Sequence, residues 1–408
     1  MSETNLPPFD SSLPGPCENA RQNPACRPPA CARIRRMATT ATAPPPIEIE
    51  VPKPPPAGIE QRYVALDAFR GFIMFMLASE AFGFGALQND PTYGRIAHWF
   101  DHVDWTGAVF WDLIQPAFMF MVGVAMPFAL ARRRELGASP RTNFKHVGAR
   151  ALRLVLLSQF LVIAADQQMR FQLINVLSQI AFTYFLTYLI LQMKFRWQAV
   201  MAAGLLIFHT ALFYLFPGPA GAFSREGNIG QVIDKALLGY NYEGYYVTIN
   251  FISSTVTTLF GAWTGMLLRT ERPLAAKLKI LAGAMLACFV AGLALSPLVP
   301  IVKRLWTASW TLYSTGWVLL LMLLFVVFID VLGWRKPAFP MLVVGMNSIF
   351  IYSAGFLVRG SIDRMVAAFS GGFEFIGPLA PVAQHSAVML VLWYLCYWLY
   401  RHKIFIKV

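Results

Sequence analysis

Charge is scarce in this chain. Only 13% of its 408 residues are Asp, Glu, Lys or Arg, against 57% hydrophobic residues. A soluble protein of this length cannot hide so much apolar surface in its cores, which excludes an assembly of soluble domains. Cysteine is sparse too. Of the five, Cys17, Cys26 and Cys31 lie near the N-terminus, and Cys288 and Cys396 lie in apolar runs. No C-x-x-C occurs. The spacing excludes a disulfide framework and a zinc site, and no metal is expected. Acidic residues are few beside the 34 Lys and Arg, and the net charge is +13. In a soluble protein that balance points to nucleic acid. Here membrane topology is the simpler cause, and no nucleic-acid partner is expected. No short-period repeat is evident.

Proline is not scarce, but it is unevenly spread. Roughly half of the 27 prolines fall in residues 1–60, in stretches such as "APPPIEIEVPKPPPAG". Proline forbids helix and removes donors, and little apolar surface is present to offset the entropy of ordering. The expectation is a disordered cytoplasmic tail over 1–60 and a membrane domain over 61–408. The tail holds no continuous apolar run of the kind a signal peptide needs.

Beyond the tail come ten apolar segments, at about 68–88, 109–131, 150–166, 172–192, 197–216, 249–268, 277–299, 307–330, 341–359 and 384–401. Most reach the roughly 17–25 residues with which a helix crosses a bilayer. The predicted fold is therefore all-α, a polytopic bundle of about ten transmembrane helices in contact with membrane lipid. With the N-terminus inside, all but eight of the 34 lysines and arginines fall on inside segments. That asymmetry predicts cytoplasmic N- and C-termini and a place in the cell (inner) membrane. The loops 91–108 and 217–249 are then outside. The segment 361–375 reads as an outside loop with some amphipathic character, lying in the interface.

Polar residues beside or inside apolar spans are costly, and so they mark candidate sites. Asp67 and Arg70 are three apart, on one face of the first span. They form either an anchoring ion pair or a holder for an anion. His102 stands just before the second span, with Asp101 and Asp104 beside it and Asp112 and Gln115 inside the span. Histidine changes charge near neutral pH and can act as base, acid or acyl acceptor. A carboxylate beside it fixes its tautomer. His98 competes with it on composition alone. Trp105 and Trp111 also read as interface aromatics. Glu243 and Asn250 flank the sixth span on the same side. Lys303 and Arg304 are basic residues on the outside, against the trend. They either neutralise outside carboxylates or bind an anionic substrate. Trp306, Ser309 and Trp310 open the eighth span. Asn347 and Ser348 interrupt an apolar run, where such side chains commonly bond between helices.

In order along the chain, "LDAFRGF", "HVDWTGAVFWDLIQPAFMFMVG", "NVLSQIAFTYF", "YEGYYVTINFISSTVTTLFGAWTG", "KRLWTASWTLYSTG" and "GMNSIFIY" cover most of residues 62–355. The combination resembles the membrane acetyltransferases typified by heparan-α-glucosaminide N-acetyltransferase. The second piece is the most specific; "LDxxRG" is shared more widely. The resemblance implies transfer of an acetyl group from cytoplasmic acetyl-CoA to an acceptor across the membrane. It implies that His102 rather than His98 is catalytic, with Asp112 at the family's "DL". Glu243, Trp306, Ser309 and Asn347 match polar positions of later motifs. Where the family carries an Asn at the end of the first span, this chain reads "LASEAFGFG", with Glu80 expected in the polar role. The family's "DPEG" reads "NYEG". A homodimer is implied by resemblance only.

These readings combine into one expectation. Catalysis falls to His102, as acyl carrier or general base, and Asp112. Glu80, Asp104, Trp105, Glu243, Lys303, Trp306, Ser309 and Asn347 would meet the acceptor, a small molecule or the amine or hydroxyl of a sugar or envelope glycan. Acetyl-CoA phosphates would sit at Asp67, Arg70, Arg132, Arg133, Arg134, Arg150 and Arg153, although these arginines also fit a purely topological role. The alternative is a multi-span transporter of a small polar solute without acyl chemistry, with its site near midplane. A third reading is an inactive relative that scaffolds partners.

Overall fold

Helix starts follow local capping chemistry. Ser139, Asn175, Asn228 and Thr307 each stand before a helix and accept from a backbone N–H in its first turn, that of Thr142, Ser178, Gln231 and Trp310. Each cap satisfies a donor that the helix itself cannot pair. The computed structural model describes residues 63–169 and 171–406; the expected tail at 1–60 lies outside them. The described residues are all-helical, with thirteen helices of ten or more residues. They are α1 (Val64–Ser79), α2 (Ile114–Glu135), α3 (Pro140–Asp166), α4 (Val176–Ile190), α5 (Phe195–Leu215), α6 (Ile229–Leu238) and α7 (Asn250–Leu268). Then follow α8 (Leu274–Leu295), α9 (Ala308–Phe325), α10 (Arg335–Met346), α11 (Ser348–Leu357), α12 (Arg359–Ser370) and α13 (Ala380–Arg401).

Seven helical stretches are long and apolar enough to cross a membrane, and the α10–α11 pair, bent by 69°, is an eighth if taken as one span. The chain is a multi-pass membrane protein. All ten expected segments are helical, but three differ from the expectation. The first was expected to run to 88; α1 stops at Ser79. Glu80, Ala81 and Phe82 have φ of 47°, 54° and 54°. Three successive left-handed residues cannot continue a right-handed helix. The fourth segment contributes only the 15 residues of α4. The ninth is broken at Asn347, between α10 and α11. The segment at 361–375, expected as an interface loop, is mostly the helix α12. It is separated from α13 by positive φ at Gly371, Gly372, Phe373 and Gly377, and the Gln384 amide of α13 donates back to Asp363 of α12.

Two close helix crossings hold the bundle. A Cβ on Gly123 of α2 would lie 2.0 Å from the Thr258 carbonyl oxygen of α7, and one on Gly261 of α7 would lie 2.0 Å from that of Phe120. Gly71 and Gly345 do the same for α1 and α10, against Met341 and Asp67. With lipid outside, little hydrophobic force drives helices together, so close backbone approach at small residues does more of the work. The main core centres on Phe69, Met119, Phe120, Trp306 and Trp310, all fully buried.

Candidate active site

Asp112 enters the site through the start of its own helix. The short turn Phe110–Leu113 precedes α2, and Asp112 Oδ2 accepts from the Val109 backbone N–H at 3.2 Å. This leaves Oδ1 free to meet other groups. His102 Nδ1 lies 2.7 Å from it, and Lys303 Nζ lies 3.3 Å from it. Asp112 is 1% exposed, the Lys303 side chain 7% and the His102 side chain 36%. A carboxylate only accepts, so Nδ1 is the donor, and in the neutral imidazole Nε2 is then the nitrogen with the free lone pair. Lys303 Nζ is also 3.2 Å from Nδ1. That contact joins two donors and follows from their sharing Oδ1. The buried carboxylate and ammonium balance one another, and the imidazole is the half-exposed member.

Lys303 is delivered by a braced turn. Thr307 Oγ1 and Ser309 Oγ donate to the Pro300 carbonyl at 2.7 and 3.0 Å, and Val302 N–H donates to Thr307 Oγ1 at 3.1 Å. Gly107, at φ 106°, donates to the Ile301 carbonyl at 2.9 Å and ties the His102 loop to the same turn. Trp306, at φ 50°, is buried below it. Ser309 and Trp306, expected to touch the acceptor, instead brace the turn and fill the core.

The other expected residues divide by location. Asp104 is 82% exposed and pairs with Arg225 at 3.1 Å; it does not meet His102. Trp105 Nε1 donates to the Phe223 carbonyl at 3.1 Å. Glu243 is exposed in a tight turn with Tyr245. Arg304 donates to the Gly244 carbonyl at 2.9 Å, and Lys303 is committed to Asp112, so neither stands open to an anionic acceptor. His98 is exposed beside Trp99 and makes no contact with Asp112. Asn347 is away from the site: its amide donates to the Ile404 carbonyl at 3.2 Å and accepts from Ile406 N–H at 3.1 Å. It clips the C-terminal segment, because a buried amide at a helix break needs partners.

Arg132, Arg133 and Arg134 lie in the last turn of α2, a helix of 22 residues and so about 33 Å long; Arg150 and Arg153 lie on α3. Arg132 and Arg153 are exposed. Arg133 donates to Asn143 Oδ1 at 2.8 Å, and the Arg150 guanidinium lies 4.9 Å from the Tyr184 ring centre. Arg70 on α1 pairs with Asp67 at 3.1 Å and donates to the Gly345 carbonyl at 2.9 Å, at the close crossing with α10. The anchoring role is the one this geometry serves directly.

Beside the His102 loop is a cavity of about 470 Å³, with Glu80, Trp111, Gln115, Asn175, Tyr246 and Arg359 on its wall and Met74, Leu77 and Ile351 among its apolar residues. Trp111 connects it to the site, with its ring centre 6.5 Å from that of His102. The loop carrying Tyr246 is pinned nearby. Thr248 N–H donates to Asp234 at 3.0 Å, and the Tyr242 hydroxyl accepts from Leu173 N–H at 3.1 Å. Burial raises the Asp234 carboxyl above its ordinary 3.8 and pushes the Tyr242 hydroxyl up to about 12. Tyr242 is therefore a neutral hydrogen-bonding pin at physiological pH. Sequence reasoning singled out neither Arg359 nor His385, which adjoin Glu80. The usable signal was that Arg359, like Lys303, falls outside the segments expected to face the cytoplasm.

Against curated proteins, the chain is similar to human (Homo sapiens) heparan-alpha-glucosaminide N-acetyltransferase, 24% identical over 435 aligned residues covering 86% of this chain and 61% of that protein. The chain is a distant relative of that protein. It spans about six tenths of the relative's length. No family model matches it. Among the described residues, no group of three or more His, Cys, Asp or Glu is arranged to hold a metal ion.

Proposed function

We propose that this protein is a membrane acetyltransferase that takes an acetyl group from acetyl-CoA and gives it to an amine or hydroxyl of a small molecule, sugar or envelope glycan. The observation that carries the reading is the 2.7 Å contact of His102 Nδ1 with Asp112, which in the neutral imidazole makes Nε2 the basic nitrogen. The distant likeness to an N-acetyltransferase supports the same class.

His102 has two ways to act. In one, Nε2 takes the proton from the acceptor nitrogen or oxygen as that atom attacks the thioester carbon. The C–S bond breaks, and the CoA thiolate leaves and is protonated. In the other, Nε2 itself attacks and CoA leaves as thiolate and is protonated; the acceptor then attacks the acetyl carbon, the C–N bond to the imidazole breaks, and the freed Nε2 takes the acceptor's proton. Both place positive charge on His102, and the Asp112 carboxylate stabilises it. Burial of Asp112 and Lys303 holds the pair in one geometry. In this proposal His102 faces the outer side. The arginines at the other end of α2, on the cytoplasmic side, attract the phosphates, and the pantetheine arm threads between the helices.

The test is to incubate the detergent-purified protein with radiolabelled acetyl-CoA, without acceptor, alongside His102→Ala. Label on the wild type alone supports a carried acetyl group. Binding without label supports direct transfer. Neither binding nor label removes the enzyme and leaves a transporter, for which the broken α10–α11 helix is the favouring feature.

A further inference from the structure

The end of α1 is unusual. Glu80, Ala81 and Phe82 all adopt left-handed backbone, and Gly83 follows at φ 69°. A Cβ on Gly83 would lie 2.8 Å from the Pro381 carbonyl oxygen and 2.9 Å from the His385 ring, so the strained turn is pressed onto α13. Such strain persists only where surrounding contacts impose it, and it gathers at ligand sites. Here it sets Glu80 on the wall of the cavity that Trp111 also lines.

That carboxylate is held from behind. Arg359 Nη1 lies 2.9 Å from Glu80 Oε1. The same guanidinium donates to the Ala78 carbonyl at 3.3 Å and lies 3.0 Å from His385 Nδ1, which is also 3.3 Å from the Ser79 carbonyl oxygen. The Arg359 side chain is 12% exposed, whereas that of Glu80 is 55% exposed. Glu80 Oε2 is 3.8 Å from His385, too far for a hydrogen bond. The cluster thus spends its cation on internal contacts and leaves a half-exposed carboxylate on a residue of the cavity wall. Arg359 also lines the cavity, but its guanidinium nitrogens are spent on Glu80, the Ala78 carbonyl and His385, so an anion there would have to compete with these bonds, one of them charge-assisted. A hydroxyl or ammonium donor meets open lone pairs.

We infer that Glu80, positioned by Arg359 and His385, is the specificity element of the cavity: it selects ligands that present neutral hydroxyl or cationic ammonium donors and rejects anionic ones. Gln115 supplies an amide for a further hydroxyl, and Trp111 and Tyr246 supply aromatic faces. This takes the cavity as the place where the acceptor of the proposed function binds, and does not depend on the acetyl step.

The test is equilibrium binding in lipid nanodiscs without acetyl-CoA, using three matched probes: methyl glucoside, its 2-amino analogue and methyl glucuronide. Wild type is expected to bind the first two at least tenfold more tightly than the glucuronide. Glu80→Gln, folded by thermal unfolding, should bring the three to within about threefold. Arg359→Lys should keep the order, and Arg359→Met should weaken the neutral glycoside tenfold or more. Equal affinity for the glucuronide in wild type, an unchanged order in Glu80→Gln, or no binding of any probe would each overturn the inference. Ordered binding without acetyl transfer in the labelled assay would sink the transferase reading and leave this one standing.

Discussion

Lys303 reaches across 191 residues of chain to place its ammonium 3.3 Å from the Asp112 carboxylate. Both groups are buried, and each compensates a charge that the interior would otherwise refuse. Lys303→Met should therefore destabilise the protein by about 3–5 kcal/mol, the usual cost of an orphaned buried charge. The double variant Lys303→Met/Asp112→Asn should recover much of that stability without recovering activity. Thermal unfolding in detergent reads the first effect and an acetyl-transfer assay the second. Additive losses in the double variant would mean the two groups do not act as a pair.

Asp112→Asn alone keeps the shape of the site but can donate to His102 Nδ1, which favours the wrong tautomer. Transfer should fall about a hundred- to ten-thousand-fold with the KM for acetyl-CoA within about threefold, because the residue acts on the histidine rather than on the co-substrate. His102→Ala should abolish transfer, and His98→Ala should leave it intact. Steady-state kinetics of the three variants decide the point.

Gly261→Ala adds one methyl at the α2–α7 crossing, where the Phe120 carbonyl oxygen stands 2.0 Å from the new carbon. Both helices must shift, and overpacking of this kind costs about 1–3 kcal/mol. Gly283→Ala, with nothing near the new atom, is the control and should be neutral or slightly stabilising. The two melting temperatures compare them directly.

Asp234 gives a pH signature. Its carboxyl is raised by burial in the folded state, so the folded protein holds that proton more tightly than the unfolded chain. Stability is then lost as pH rises from the ordinary carboxyl value through the raised one. Asp234→Asn, which still offers an oxygen to Thr248 N–H, should flatten this part of the profile. Unfolding temperatures from about pH 4 to 7 would show it, and a wild-type profile without that slope would refute it.

Asn347→Ala removes the clip on Ile404 and Ile406 and leaves backbone groups unpaired, at a cost of about 1–3 kcal/mol. Because Asn347 lies away from His102, the acceptor KM should not move. A rise in that KM would return Asn347 to the site.

The membrane class and the positions of most apolar segments were legible in the sequence alone, and so was the stretch in which His102 and Asp112 come into contact. Apolar length, basic-residue bias and polar residues in spans are local properties, set by what each segment must bury or satisfy. Tertiary structure decided the rest. Whether Asp104 or Asp112 meets His102 depends on how the loop folds back. Asp104 is nearer in sequence but turns out to Arg225, while Asp112 is aimed by its own helix start. Lys303 joins them only through the turn that Thr307 and Ser309 brace on Pro300. Glu80, Arg359 and His385 meet because three left-handed residues end α1 early and bring its tip against α12 and α13. Spacing along a chain records neighbours on one helix. Contacts between helices hundreds of residues apart follow from close crossings and loop hydrogen bonds, whose partners no single segment reveals.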